Sequence, residues 1–294
     1  SMTLTRTYYR VAEHLFAVES SYSELLQCMT NYEPFAVEEL FGERREGEEI
    51  FTLCVEKAIG ERLEARGEGW THVMTDNAEE DMPRIEVYRS SLEDARGASY
   101  SLEDASLQFR GGGWLFRVAM VANAPICCEM ECSEDFTQGV LRIMADCQDV
   151  RFCIDNALML LFAFRTAPLM TLEMHAAVVV RGEGRGYLFL GHSGTGKSTH
   201  ARQWLAAFDD AWLLNDDNPI IRVLNNGEVY VYGSPWSGKT HCYKAQHYPI
   251  AGFCRLSQAP HNAIHRLSSI MAIGALLPSC PPAFAHDVEL QDMI

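Results

Sequence analysis

Residues 187–199 read Tyr-Leu-Phe-Leu-Gly-His-Ser-Gly-Thr-Gly-Lys-Ser-Thr (YLFLGHSGTGKST). Tyr187 to Leu190 is a short apolar run that predicts a buried strand. Gly191 to Ser198 fits the pattern GxxxxGK[ST], and a helix is expected from Lys197 to about Phe208. Each part of the pattern has a physical purpose. Glycines let the loop turn tightly and aim backbone N–H groups inward. Those donors and the following helix N-terminus suit phosphate oxygens. Lys197 would reach the β- and γ-phosphates, and the Ser198 hydroxyl would ligate Mg²⁺. The candidate nucleotide-binding residues are therefore Gly191, Ser193, Gly194, Thr195, Gly196, Lys197, Ser198 and Thr199.

Working outward, Glu173 to Val180 (EMHAAVVV) reads as a strand before the loop. After the helix, Ala211 to Leu214 (AWLL) reads as a strand ending in Asn215-Asp216-Asp217, with Asp216 only 19 positions beyond Lys197. Carboxylates at a strand end beside a phosphate loop suit Mg²⁺ coordination or general base chemistry. Adjacent side chains in a strand point to opposite faces, so one Asp could face the metal and the other the nucleophile, or a turn could bring both in. Ile220 to Val223 and Val229 to Tyr232 flank Asn225-Asn226-Gly227, a hairpin signal. A hairpin here is not the next strand–helix unit of a doubly wound sheet. One further helix is expected at Ile264 to Leu277.

Segment 175–240 resembles the catalytic domain of HPr kinase/phosphorylase and its relatives, itself similar to the nucleotide domain of phosphoenolpyruvate carboxykinase. The resemblance rests on His175 before the loop, on GHSGTGKST, on Asn215-Asp216-Asp217, and on Gly233-Ser234-Pro235-Trp236-Ser237-Gly238-Lys239. The weaker stretch Phe253 to Leu267 (FCRLSQAPHNAIHRL) belongs with these. The resemblance covers about a third of the chain. It implies that Lys197 and Ser198 hold phosphates and metal, and that Asp216 is the metal-side carboxylate. It also implies that Asp217 is the base toward an acceptor hydroxyl, with His175 near the γ-phosphate. The cofactors it implies are ATP, or pyrophosphate, and Mg²⁺. The chain departs from the family in having Thr199-His200 where a Glu follows the loop, and in lacking the downstream Glu-x-Arg-Gly signature. Those departures argue against HPr itself as the acceptor. Lys239 and Lys244 are candidates for the positive charge of the family's missing basic segment.

The rest of the chain of 294 residues is read from pattern alone. Tyr8 to Val18, Phe51 to Val55, Arg84 to Tyr88, Leu107 to Arg110 and Trp114 to Val121 are strand candidates, with Gly111-Gly112-Gly113 a hairpin or bulge. Tyr22 to Met29 is an early helix candidate, and Arg151 to Phe164 predicts a buried helix closed by Pro168. Glu43 to Glu49 and Asn77 to Asp81 read as charged surface turns.

The net charge of −16 is uneven: −15 on residues 1–168 and −1 on 169–294. The acidic part should repel nucleic acid and anionic membrane. Ten irregularly spaced cysteines without a CxxC pair read as reduced thiols. No signal peptide is read after Ser1-Met2, so a cytoplasmic location is expected. Cys127-Cys128 with Cys132 invites a thiolate metal site. For want of a fourth ligand at typical spacing, these read as strand cysteines. His261 and His265 stand i, i+4 as candidate metal ligands, His192 is a candidate phosphate contact, and Trp236 a candidate for stacking on a base or acceptor.

The expected fold class is α+β. An N-terminal, mainly antiparallel β domain (1–150) is followed by a P-loop domain with a mixed sheet (151–294), which includes its leading helix. The expected function is an ATP-dependent phosphotransferase acting on a hydroxyl of a protein or small molecule. The alternatives are a non-catalytic nucleotide-binding regulator or assembly protein, and a carboxykinase-like lyase. A homo-oligomer is compatible with the resemblance.

Overall fold

The computed structural model describes residues 3–38, 47–57, 69–76, 82–90, 99–101, 108–110, 113–192 and 194–276. The expected turn at 77–81, residues 43–46 of the charged segment, Leu107, Gly111-Gly112, Ser193 and the end of the last helix at Leu277 lie outside the described residues. The chain is α+β and mostly strand, with two mixed sheets and few helices. It divides into two compact units, one holding 1–10 and 14–165, the other 11–13 and 166–294.

The first unit contains β1 (Thr5–Val11), β2 (His14–Ser20), α1 (Ser23–Leu26), β3 (Ala36–Val37), β4 (Thr52–Lys57), β5 (Trp70–Asp76) and β6 (Arg84–Ser90). Then come a small ribbon of β7 (Ser99–Ser101) and β8 (Gln108–Arg110), β9 (Trp114–Ala119), β10 (Ile126–Cys132), β11 (Gln138–Ile143) and α2 (Val150–Thr166). Nine strands form one sheet in the order β3-β1-β2-β4-β11-β10-β9-β6-β5. The expected antiparallel sheet is mixed, because β4 runs parallel to both β2 and β11. Parallel neighbours need long crossovers, and the 31 residues from Ser21 to Phe51 that precede β4 provide one. The single strand read over Tyr8 to Val18 is two strands. Ala12 and Glu13 turn the chain at φ 48° and 68°, without the Asn or Gly that advertises such a turn.

The Asp149 carboxylate caps α2 by accepting the Phe152 N–H at 3.0 Å. Cys153, Ile154, Ala157, Leu158, Leu161 and Phe162 form its buried face. By length and composition, Val150–Leu169 is apolar enough to cross a membrane, but 56% of that window is buried inside the protein. The boundary expected at 150/151 falls instead at 165/166, so α2 goes with the first unit. Arg165 Nε, donating to the Ile50 carbonyl at 2.9 Å, ties its last turn there.

The second unit contains β12 (Thr171–Glu173), β13 (Ala176–Arg181), β14 (Arg185–Leu190), α3 (Lys197–Ala207), β15 (Trp212–Asn215), β16 (Ile220–Val223), β17 (Val229–Tyr232), β18 (His247–Arg255) and α4 (Ser269–Leu276). The sheet order is β12-β16-β17-β18-β14-β13-β15. β14 runs antiparallel to β13 and parallel to β18. Strand alternation divides the core in two. Ala177, Val179 and Phe189 pack with Ala201 and Trp204 of α3. Ala176, Val178, Val180, Leu188, Leu190 and Leu214 pack on the opposite face with Ile221 and Val231. Both faces are covered, which is why Ala176 to Val180 is an unbroken apolar run.

The hairpin at 225–227 is present, with Gly227 at φ 82°. The last helix is shorter than expected and begins at Ser269. Sequence pattern missed β18, whose residues HYPIAGFCR carry Pro249 and Gly252, both marks against a strand.

Candidate functional site

The glycine-rich loop joins the end of β14 to the start of α3. Its entry is fixed from outside, since the Leu256 N–H donates to the Leu190 carbonyl at 2.8 Å. A Cβ on Gly191 would lie 2.4 Å from Thr195 Oγ1 and 3.2 Å from the Leu256 carbonyl, so no larger residue fits. Gly194 and Gly196 take φ 80° and 101°, left-handed values that favour glycine. Thr195 closes the loop on itself, its N–H and Oγ1 both donating to the His192 carbonyl, at 3.1 and 2.7 Å. Lys197 is buried, and its Nζ donates to the carbonyls of Gly191 (2.9 Å) and His192 (3.0 Å). Gly196 is the N-cap of α3, and among the described residues no side chain caps the helix. That end keeps the positive character suited to an anion. Thr199 is exposed in the first turn, and Ser193 lies outside the described residues.

The acidic turn after β15 meets this loop. Ser198 Oγ donates to Asp216 Oδ1 at 2.8 Å, and Thr240 Oγ1 donates to the other Asp216 oxygen. Asp217 diverges from Asp216 and lies 3.2 Å from His175 Nδ1. Asn218 Nδ2 also donates to Asp217, at 2.9 Å. Thus the two carboxylates part, one toward the glycine loop and one toward the histidine. Sequence reading put His175 inside a strand. It stands instead in the break between β12 and β13. The break exists because the flanking amides hold the acidic turn: Met174 N–H donates to the Pro219 carbonyl (2.9 Å) and Ala176 N–H to the Asp217 carbonyl (3.1 Å).

Asn215 shapes the turn from below. Its side-chain oxygen accepts the N–H groups of Asp217 and Asn218, both at 2.9 Å. Its amide donates to Ser234 Oγ (3.1 Å) and to the Trp236 carbonyl (3.0 Å). Segment 233–240 is thereby strapped to the turn. The Asp216 N–H donates to Ser237 Oγ at 3.1 Å. A Cβ on Gly233 would sit 2.0 Å from the Lys244 carbonyl, and one on Gly238 (φ 56°) would press on Asp217 at 3.1 Å. Trp236 is buried and contributes its backbone. Lys244 Nζ is held by the Leu213 carbonyl at 2.5 Å, while Lys239 is exposed beside Gly238.

Glu173, two residues before His175, is the member of this site that sequence reading missed. It is buried, and among the described residues its Oε2 has no hydrogen-bond partner. Burial pushes its carboxyl well above the ordinary Glu range, and the negative charge of Asp217 adds to this. The remaining features weighed in the sequence fall away from the site. His261 and His265 are exposed and in no helix, and His192 is exposed on the loop.

No protein-family model matches the chain, and no curated protein matches it.

Proposed function

We propose that the second unit is an ATP-dependent phosphotransferase module of the HPr-kinase-like type, moving the γ-phosphoryl group to a hydroxyl acceptor. The observation that carries this reading is the Ser198–Asp216 hydrogen bond of 2.8 Å. It joins the first turn of the helix after a glycine loop to a carboxylate turn 18 residues on, in the arrangement a phosphate loop and its metal-side acid require. The donor set also fits Mg²⁺. Ser198, Asp216 and Thr240 present oxygen ligands only, the hard donors that Mg²⁺ prefers. Among the described residues, neither Asp216 nor Asp217 is paired with Lys or Arg, so their negative charge is open to a cation.

In this reading the α3 N-terminus and the loop amides bind phosphate oxygens. Lys197 turns from the Gly191 and His192 carbonyls toward the β- and γ-phosphates. Ser198 and Asp216 hold Mg²⁺, which when bound offsets phosphate charge. Asp217, oriented by Asn218 and His175, accepts the acceptor's hydroxyl proton. The freed oxygen bonds to the γ-phosphorus as the bond to the ADP oxygen breaks. Most of the rate gain comes from positioning and charge stabilisation.

The test is thermal unfolding with Mg²⁺ and ATP, on the wild type and on Lys197→Ala. Near-saturating nucleotide, at about 100 times Kd, should add roughly 2.7 kcal/mol to the wild type and nothing to the variant. Equal curves with ATP, GTP and pyrophosphate would overturn the reading. A positive shift opens a screen of hydroxyl acceptors by ADP release.

A further inference from the structure

The first unit holds a side-chain cluster for which the phosphotransferase reading has no use. In β10 the register with β9 slips: Ile126 faces Ala119 and Cys128 faces Val118, leaving Cys127 as an extra residue. Neighbours in a regular strand point to opposite faces. A bulge removes that constraint, and the sulfurs of Cys127, Cys128 and Cys153 all lie within 4.8 Å of one another. Cys153 comes from the first turn of α2, and its sulfur is 3.8 Å from that of Cys127. Cys147, on the link between β11 and α2, has its sulfur 3.5 Å from that of Cys153, beside this trio rather than within it. Cys132, the partner that sequence proximity suggested, is not in the group.

The distances have a chemical meaning. A Zn–S bond is about 2.3 Å, so two sulfurs on one tetrahedral zinc stand about 3.8 Å apart. A disulfide would need about 2.05 Å. The Cys147–Cys153 and Cys127–Cys153 distances of 3.5 and 3.8 Å match two edges of a tetrahedron around a single ion, which the partly exposed Cys147 completes by moving inward. The backbone holds the four in place. The Met144 N–H donates to the Cys127 carbonyl (2.9 Å), and the Cys147 N–H to the Met144 carbonyl (3.0 Å). Two residues later Asp149 caps α2. Cys127, Cys128 and Cys153 are buried, and Cys147 is partly exposed, which gives a path for an ion.

We propose that Cys127, Cys128, Cys147 and Cys153 form a tetrathiolate site for a structural Zn²⁺, fastening the start of α2 to the bulged strand β10. Soft thiolates select zinc over Mg²⁺ or Ca²⁺. Four protein ligands leave no open position, so the ion braces the fold and does not catalyse. Binding releases the thiol protons to solvent, and affinity therefore rises with pH.

The full chain, purified without chelators after growth with zinc, is measured for metal by mass spectrometry. One zinc per chain is expected, released by a mercurial thiol reagent. Cobalt in its place should show the visible bands of a tetrahedral site and near-ultraviolet thiolate charge transfer. Cys147→Ser, at the most accessible ligand, should fold and lose most of the zinc, while Cys28→Ser keeps it. A wild-type chain that takes up neither zinc nor cobalt overturns the proposal, as does peptide mapping that finds a Cys147–Cys153 disulfide. Zinc retained in full by Cys147→Ser overturns the ligand set. None of these readings depends on nucleotide binding.

Discussion

The acids of the first sheet and those of the candidate site in the second unit are held in opposite ways. In the first unit they are interleaved with arginines. Glu86 lies between Arg84 (3.1 Å) and Arg117 (3.7 Å). Arg142 lies between Glu131 (3.7 Å) and Glu56 (4.0 Å). Arg6 pairs with both Glu19 and Glu49. In the second unit Asp216 and Asp217 are held by hydroxyls, an amide and an imidazole, and Glu173 sits buried beside them. A carboxylate matched by a guanidinium has little left to offer a cation; one held by hydroxyls keeps its charge. Net charge is thus a poor guide to where the proposed cation site lies. The half carrying −15 sets Glu19, Glu49, Glu56, Glu86 and Glu131 against arginines, and the half carrying −1 leaves three acids clustered.

Substitutions at these acids sharpen the contrast. The largest effect is expected at Asp217→Asn, which removes the proposed base. Phosphoryl transfer should fall by about 10²–10⁴, with nucleotide binding unchanged in a thermal-shift titration. A variant with wild-type turnover would remove Asp217 from the base role.

Asn215→Leu comes next. It strips the Asn215 oxygen from the Asp217 and Asn218 N–H groups, while Ser234 Oγ and the Trp236 carbonyl keep each other at 3.0 Å. Each buried orphan costs about 1–3 kcal/mol, so a loss of about 3 kcal/mol or more is expected in urea unfolding. A change below about 1 kcal/mol would mean the acidic turn does not depend on its strap.

The same chemical change should then have opposite signs in the two sheets. Glu86→Gln leaves Arg84 and Arg117 facing a neutral amide and should cost about 2 kcal/mol at neutral pH. Glu173→Gln should stabilise slightly, raising Tm by a few degrees. The pH dependence fixes its cause. Because the folded-state carboxyl of Glu173 is raised, its favourable contribution is complete below the ordinary Glu value of 4.5. That contribution is lost as pH climbs from there through the folded value, since the unfolded state releases its proton first. The advantage of Glu173→Gln should therefore be present at pH 7 and shrink in acid. Equal gains at both pH values would point to packing instead.

How much was legible follows from the same physics. β14, the glycine loop, α3, β15 and the 225–227 hairpin are local features: periodicity, turn residues and a spacing. The meeting of Ser198 with Asp216 was legible because both sit at the ends of adjoining elements. β18 was not, because its pairing with β14 supplies what its own residues lack. Glu173 gave no signal beyond its position two residues before His175. The cysteine cluster was hidden for a related reason. Its ligands come from a bulge, a link and a helix start, and the bulge breaks the alternation that sequence reading relies on.

That bulge has a consequence for how the chain tolerates change in length. Deleting Cys127, which stands between Ile126 and Cys128, would let β10 alternate regularly against β9. It would cost little locally, since a regular ladder is no worse than a bulged one. But the extra residue is itself one of the clustered cysteines, so its sulfur leaves with the bulge. The sheet would survive such a deletion and the sulfur cluster would not. One residue thus serves both as the irregularity of the strand and as part of the cluster.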